Sequence, residues 1–159
     1  MAPRPEFLRN HEIRCKRCGF QYFHNTAAAV GIILEHQGKY LFLRRGHNPQ
    51  KGKIDVPGGF VDPGETLETA LVRELREEIA AEIGPTVFVT SFSNTYSFAN
   101  VTYTTCDCYF TARLLTDPDK LIPAEGEISE ICWLRPSEVD EEEIAFPSLK
   151  NMWNLIKRS

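Results

Sequence analysis

GFVDPGETLETALVRELREE, residues 59–78, is the stretch that decides the fold. From Leu67 to about Ala81 it is free of Gly and Pro, and Thr66 stands where an N-cap is wanted, so it predicts a helix ended by Gly84-Pro85. On a helical wheel Leu67, Leu71, Leu75 and Ile79 share a stripe about 120° wide, the face that a core must cover. Glu78 falls inside the edge of that stripe, Glu74 beside it and Glu77 further round. Carboxylates held together at a half-buried border repel one another and lose hydration. A bound divalent cation relieves both penalties, and oxygen-only donors suit Mg²⁺ or Mn²⁺. The competing reading is a solvated helix in which Arg73 pairs with Glu77 at i,i+4. Gly58-Gly59 weighs against it, because two glycines let backbone approach a ligand closely and offer a carbonyl as a further metal ligand. Glu65 stands one to two turns before the cluster, within reach of it through Arg73.

Outward from the helix, the chain alternates strand and turn signals. Ala27 to Leu34 is an apolar run that suits a buried strand. Gln37-Gly38 is a turn, and Lys39 to Arg45 resumes as the second strand of a hairpin. Residues 46–53 form a loop, and residues 56–64 are too broken by Pro and Gly for regular structure. Thr86 to Phe98 and Val101 to Leu115 predict two long strands joined at Ala99-Asn100, and Ile128 to Leu134 a further one. Asp140 to Glu143 is an acidic run, and Ser148 to Lys157 reads as a terminal helix. Strands around a central helix, closed by another helix, indicate a mixed sheet covered by helices, an α/β fold.

The chain of 159 residues fits one domain of ordinary soluble composition. Its formal charge of −4 argues against general duplex binding through phosphates. That sum hides a gradient: residues 1–53 carry a net +7 and residues 62–82 a net −5. No apolar run is long enough to span a membrane, and the first residues lack the apolar stretch of a signal peptide. With five cysteines, an odd number, the expectation is reduced thiols in a cytoplasmic protein.

The stretch from Gly59 to Glu78 resembles the signature of the Nudix hydrolases, G-x5-E-x7-R-E-U-x-E-E-x-G-U with U apolar. Every position agrees through Glu78; the departure follows, where Ala80 and Ala81 replace the family's Gly and final U. The strand with LFLRR and then PGGFVDPGE extends the resemblance from about Ala27 to Trp133. It implies a Nudix-type α/β/α sandwich over residues 26–159 and hydrolysis of a pyrophosphate linkage in a nucleoside diphosphate joined to another moiety. In that light Glu74, Glu77 and Glu78 are metal ligands, the Gly58 carbonyl completes the site, and Arg73 orients the carboxylates with Glu65. The general base is Glu74 or a loop glutamate, with Glu127 and Glu130 the first loop residues to test.

Arg44 and Arg45 end a strand just before the loop to the metal site and are candidate substrate contacts. Alternation allows at most one of them to face substrate. Phe92, Tyr96, Phe98 and Tyr103 are candidates for stacking on a base, against the ordinary reading of strand core. Cys15-x2-Cys18-Gly19, in residues 1–25, is half a zinc knuckle. A closed Zn²⁺ site needs four ligands; His11, His24, a distant cysteine or a second subunit would have to supply the others, and the expected state is a zinc-free turn. NADH pyrophosphatases resembling this chain carry a Ser-Gln-Pro-Trp-Pro-Phe-Pro motif after the box, where this sequence has SFSNTYSF. NADH specificity is thus not supported, and the resemblance, through family frequency rather than any particular residue, ranks ADP-ribose or a similar nucleoside diphosphate sugar first, ahead of NADH and of a damaged nucleoside triphosphate. A homodimer is common among such relatives. The alternative of another class is a non-catalytic nucleotide-sensing or nucleic-acid-binding module, and the full set of Glu65, Arg73, Glu74, Glu77 and Glu78 argues against it.

Overall fold

The computed structural model describes residues 6–9, 12–98 and 101–158. Its strands are β1 (Glu6–Arg9), β2 (Glu12–Arg14), β3 (Gln21–Phe23), β4 (Ala27–Ile33), β5 (Glu35–His36), β6 (Lys39–Arg45), β7 (Ile54–Asp55), β8 (Gly58–Phe60), β9 (Val87–Phe98), β10 (Val101–Thr111) and β11 (Ile128–Leu134). Helices α1 (Leu67–Ile79) and α2 (Pro147–Ile156) complete the regular structure, with short 3-10 turns such as Glu141–Glu143 in the acidic run. The expected junction of β9 and β10 at Ala99-Asn100 lies outside the described residues.

Three sheets form. Strands β1, β2 and β3 make a small antiparallel one, which frames the Cys15–Gly19 turn. A four-stranded sheet runs β8-β4-β10-β9 and is mixed: β4 and β10 are parallel, whereas the β8–β4 and β10–β9 pairs are antiparallel. A third runs β11-β6-β5, with β7 also on β6. The predicted hairpin is real only in its last turn. Glu35 and His36 pair with β6 around Gln37-Gly38, while β4 has crossed into the other sheet. The broken segment 56–64 also yields a strand, because Gly58 to Phe60 pair with Gly31 to Ala29.

Alternation along β4 and β6 divides the core. Val30, Ile32, Leu34, Leu41 and Leu43 join Ala70, Leu71, Leu75 and Ile79 of α1 on one side. Ile33, Phe42 and Tyr109 join Leu149, Met152 and Trp153 of α2 on the other. The sheets are therefore held between two helices, an α/β/α sandwich. Each fully buried aliphatic side chain in these layers contributes about 1.5–3 kcal/mol. Thr66 caps α1 as expected: its hydroxyl accepts from the N–H of Thr69, and the Thr69 hydroxyl accepts from the N–H of Thr66. The far end differs from expectation. The helix stops at Ile79, before Gly84, because Ala80 adopts a left-handed conformation at φ +52° and donates its N–H to Arg76. The alanine at the family's glycine position thus does the glycine's task, at a cost of about 1 kcal/mol. Among the described residues, no helix is long and apolar enough to cross a membrane.

Candidate active site

The carboxylates of α1 reach a cavity of about 300 Å³ over the edge strand β8. Two glycines make that approach feasible. A Cβ built on Gly59 would lie 2.3 Å from the Glu74 carboxylate, and one on Gly58 would lie 2.0 Å from the Val30 carbonyl oxygen. Gly58 also adopts φ +154°, which side-chain-bearing residues rarely accept. Its N–H donates to Oε2 of Glu78 at 2.9 Å. Glu74 and Glu78, four residues apart on α1, both line the cavity.

Arg73 organises the entrance. Its Nε and Nη2 each donate to a Glu65 oxygen at 2.8 Å, its Nη1 donates to Glu74 at 2.8 Å and to Glu77 at 3.3 Å, and Nη2 also donates to the Phe60 carbonyl at 3.0 Å. The paired guanidinium holds the Glu65 carboxyl down at about 2. Glu65 and Arg73 thus form one hydrogen-bonded chain that ends on Glu74. Burial instead pushes Glu74 up, against the pull of Arg73, and pushes Glu78 well above the usual carboxylate range. A low-dielectric pocket that penalises anions, lined by carboxylates, fits a hard divalent cation bound through oxygen. Glu77 lies apart: its side chain is 59% exposed, it pairs with Arg73 and it is not part of the cavity wall. Among the described residues, no three Asp, Glu, His or Cys side chains converge into a ready-made metal cage. Glu74, Glu78 and backbone at Gly58 are the donors on the glycine-edge side of the cavity, whose lining also includes Asp55 and Glu127, and a phosphate oxygen of a ligand would complement them.

The two arginines part as strand alternation requires. Arg45 faces the cavity, donating to Asp55 at 3.1 Å and to the Pro49 carbonyl at 2.8 Å, with its guanidinium 5.1 Å from the Phe146 ring centre. Arg44 turns away to Glu130 at 3.0 Å and Glu143 at 3.2 Å. The loop glutamates part too. Glu127 lines the cavity, whereas Glu130 is 58% exposed and occupied by Arg44. Tyr96 stands edge-on to Phe60 at 5.2 Å and tilted to Phe146 at 5.8 Å, forming an aromatic wall. Phe92 instead packs against Tyr109 and the α2 core. Tyr103 lines a neighbouring apolar recess with Phe60 and Tyr96.

Several cavity residues were not foreseen. Asp55 is raised to about 6, chiefly by burial, which the Arg45 charge only partly offsets. Asp107 accepts from Asn94, Thr105 and Ser148. The signal for these was faint: Asp55 falls between a loop and a Pro/Gly-broken segment, and Asp107 is the lone charged residue of β10. Cys15 sits in a tight turn between β2 and β3, its N–H bound to Phe20 and its carbonyl to Gly19. Backbone N–H groups of Cys18 and Arg17 favour its thiolate. No third ligand joins Cys15 and Cys18 among the described residues, and His11 lies outside them.

A sandwich with a carboxylate helix docked under a Gly-Gly edge strand defines the class of protein. The family model described as NUDIX domain matches residues 24–153, and the chain belongs to that family. It is 51% identical over 57 residues to an ADP-ribose pyrophosphatase of Methanocaldococcus jannaschii, covering 36% of this chain and 33% of that protein. It is 30% identical over 119 residues to the NAD-capped RNA hydrolase NudC of Chromobacterium violaceum, covering 75% of this chain and 42% of that one. The chain therefore spans less than half the length of these curated relatives. A NUDIX hydrolase from Nitrosomonas europaea superposes with a TM-score of 0.69 at 26% identity, covering 93% of this chain and 81% of the other. The NUDIX domain of Shewanella oneidensis NrtR complexed with ADP ribose superposes at 0.68 with 22% identity, a likeness of fold, covering 86% and 90%.

Proposed function

We propose that the chain is a metal-dependent pyrophosphohydrolase that cleaves a nucleoside diphosphate joined to another moiety, with ADP-ribose or a similar nucleoside diphosphate sugar as substrate. The observation that carries this reading is the pair Glu74 and Glu78, both raised by burial and both facing one cavity beside Gly58-Gly59. The likeness to an ADP-ribose pyrophosphatase, centred on a short stretch, supports the substrate class.

Glu74, Glu78 and the Gly58 backbone would hold Mg²⁺ or Mn²⁺, with Glu77 adding negative potential from the rim. A cation there neutralises the diphosphate and makes a bound water more acidic. Arg73 keeps the Glu74 carboxylate aimed at the cavity, and Glu65 keeps Arg73 in place. Glu127, exposed on the cavity wall, is the group best placed to accept the proton of the attacking water. Arg45 supplies positive charge for the phosphates from the opposite wall.

NADH-type substrates are the second reading, favoured by the NudC likeness over three quarters of the chain. A substrate panel decides: Mg²⁺-dependent release of a nucleoside monophosphate from ADP-ribose, NADH, diadenosine polyphosphates and deoxynucleoside triphosphates. ADP-ribose turning over fastest supports the reading. Absence of release from every compound sinks the enzyme reading in favour of a nucleotide sensor.

A further inference from the structure

Away from the glutamates, the cavity ends in a polar network that hydrolysis of the diphosphate does not need. On one face of the β8-β4-β10-β9 sheet, Phe60, Ala29, Asp107 and Phe92 form one cross-strand row, and Ala27, Thr105 and Asn94 the next. Ala29 is the small member of the first row, and it lines the cavity together with Asp107, Thr105 and Asn94. Asp107 collects donors. Asn94 gives its amide nitrogen to Oδ2 at 2.9 Å, Thr105 its hydroxyl to Oδ1 at 2.6 Å, and Ser148 its hydroxyl to Oδ2 at 2.5 Å. Tyr109 donates in turn to Ser148 at 3.0 Å.

This arrangement fixes the Asn94 amide. Turning it over would set its oxygen against the Asp107 carboxylate, so the nitrogen faces Asp107 and Oδ1 faces the other way. Asn94 lines the cavity, is only 8% exposed, and its Oδ1 has no hydrogen-bond partner among the described residues. A buried acceptor left unmade costs about 1–3 kcal/mol, a cost that a ligand donor recovers on binding. Tyr96, two residues along β9 on the same face, continues the wall beside it.

We propose that Asn94 is a specificity-determining residue: its Oδ1 accepts an N–H or O–H from the nucleoside half of the ligand, and Asp107 is the positioning residue that holds it so. The inference rests on the nucleotide reading above. Two ligand groups supply that chemistry, the exocyclic amine of adenine and the 2′-hydroxyl of the adenosine ribose.

The test is equilibrium binding, measured calorimetrically in EDTA so that turnover does not intervene. Asn94→Leu is expected to weaken ADP-ribose binding about tenfold, the loss of one buried hydrogen bond. If the amine is the donor, inosine diphosphate ribose binds the unaltered chain about tenfold more weakly than ADP-ribose and is indifferent to the substitution. If a hydroxyl is the donor, 2′-deoxy-ADP-ribose behaves that way instead. Asp107→Asn, which leaves Asn94 in place but frees its amide to turn, is expected to erase the same discrimination. Equal affinities of Asn94→Leu and the unaltered chain for ADP-ribose overturn the proposal. So does an equal loss on all three ligands, or failure of the unaltered chain to bind any of them. Discriminating binding without hydrolysis in Mg²⁺ would count against the proposed activity alone.

Discussion

The carboxylate of Glu78 accepts a hydrogen bond from the backbone N–H of Gly58 at 2.9 Å, joining the carboxylate helix to the edge strand across twenty residues of sequence. This contact offsets part of the cost that burial places on the Glu78 carboxylate, which stays well above the usual carboxylate range. The arrangement makes sense as a cation site kept ready, and it sets opposite demands on stability and on activity.

Glu78→Gln is accordingly expected to remove at least 99% of the activity while raising the melting temperature in EDTA at pH 8. A glutamine oxygen can still accept the Gly58 N–H, and the uncompensated charge is gone. Thermal melts and initial rates on the same preparation check both halves. A variant melting lower than the parent would contradict the buried-charge account.

Gly59→Ala places a methyl group where the Glu74 carboxylate now lies, 2.3 Å from Oε1. Glu74 must swing away from the cavity and from Arg73, so the rate should fall about 100-fold with little change in the circular dichroism spectrum. Retained activity would show that Glu74 does not act from its present position.

The loop glutamates separate cleanly. Glu127→Gln is expected to lower kcat more than tenfold. Glu130→Gln leaves Arg44 its Glu143 partner away from the cavity and should change kcat less than twofold. Steady-state kinetics from pH 6 to 9 test the pair, and the reverse ranking would reassign the base.

Asp55 offers a test by linkage. Its carboxyl rises from 3.8 to about 6 in the folded chain, chiefly by burial. Between those values the folded state keeps a proton that the unfolded chain releases, so this group's contribution to stability falls as pH rises through the window. Asp55→Asn should therefore gain stability relative to the parent on going from pH 4 to pH 7. Urea unfolding in EDTA at both values measures the sign.

Ala80→Gly relaxes the left-handed helix end and should stabilise the chain by about 1 kcal/mol with activity unchanged. Its melting curve checks this.

Much of the fold and of the carboxylate helix's geometry was legible because it is local. The Leu67–Ile79 stripe and the Thr66 cap are written in helical periodicity and capping chemistry, and the structure realises them. Helical spacing also put Glu74 and Glu78 on one cavity, although it did not separate Glu77 from them. What escaped was non-local. The pairing of Gly58–Phe60 with β4 depends on a sheet register that a Pro- and Gly-rich segment does not announce. The Asp107 network joins residues from β9, β10 and α2, up to 41 positions apart. Ala80 misled in the opposite sense, because an alanine in a left-handed cap gives no compositional sign that the helix ends there.

The most direct test of the central claim is ADP-ribose hydrolysis followed against Mg²⁺ concentration, for the unaltered chain and Glu78→Gln side by side. The account predicts AMP and ribose 5-phosphate formed with saturable Mg²⁺ dependence by the unaltered chain, and under 1% of that rate from Glu78→Gln. Hydrolysis that persists in EDTA, or that survives the Glu78 substitution undiminished, would contradict it.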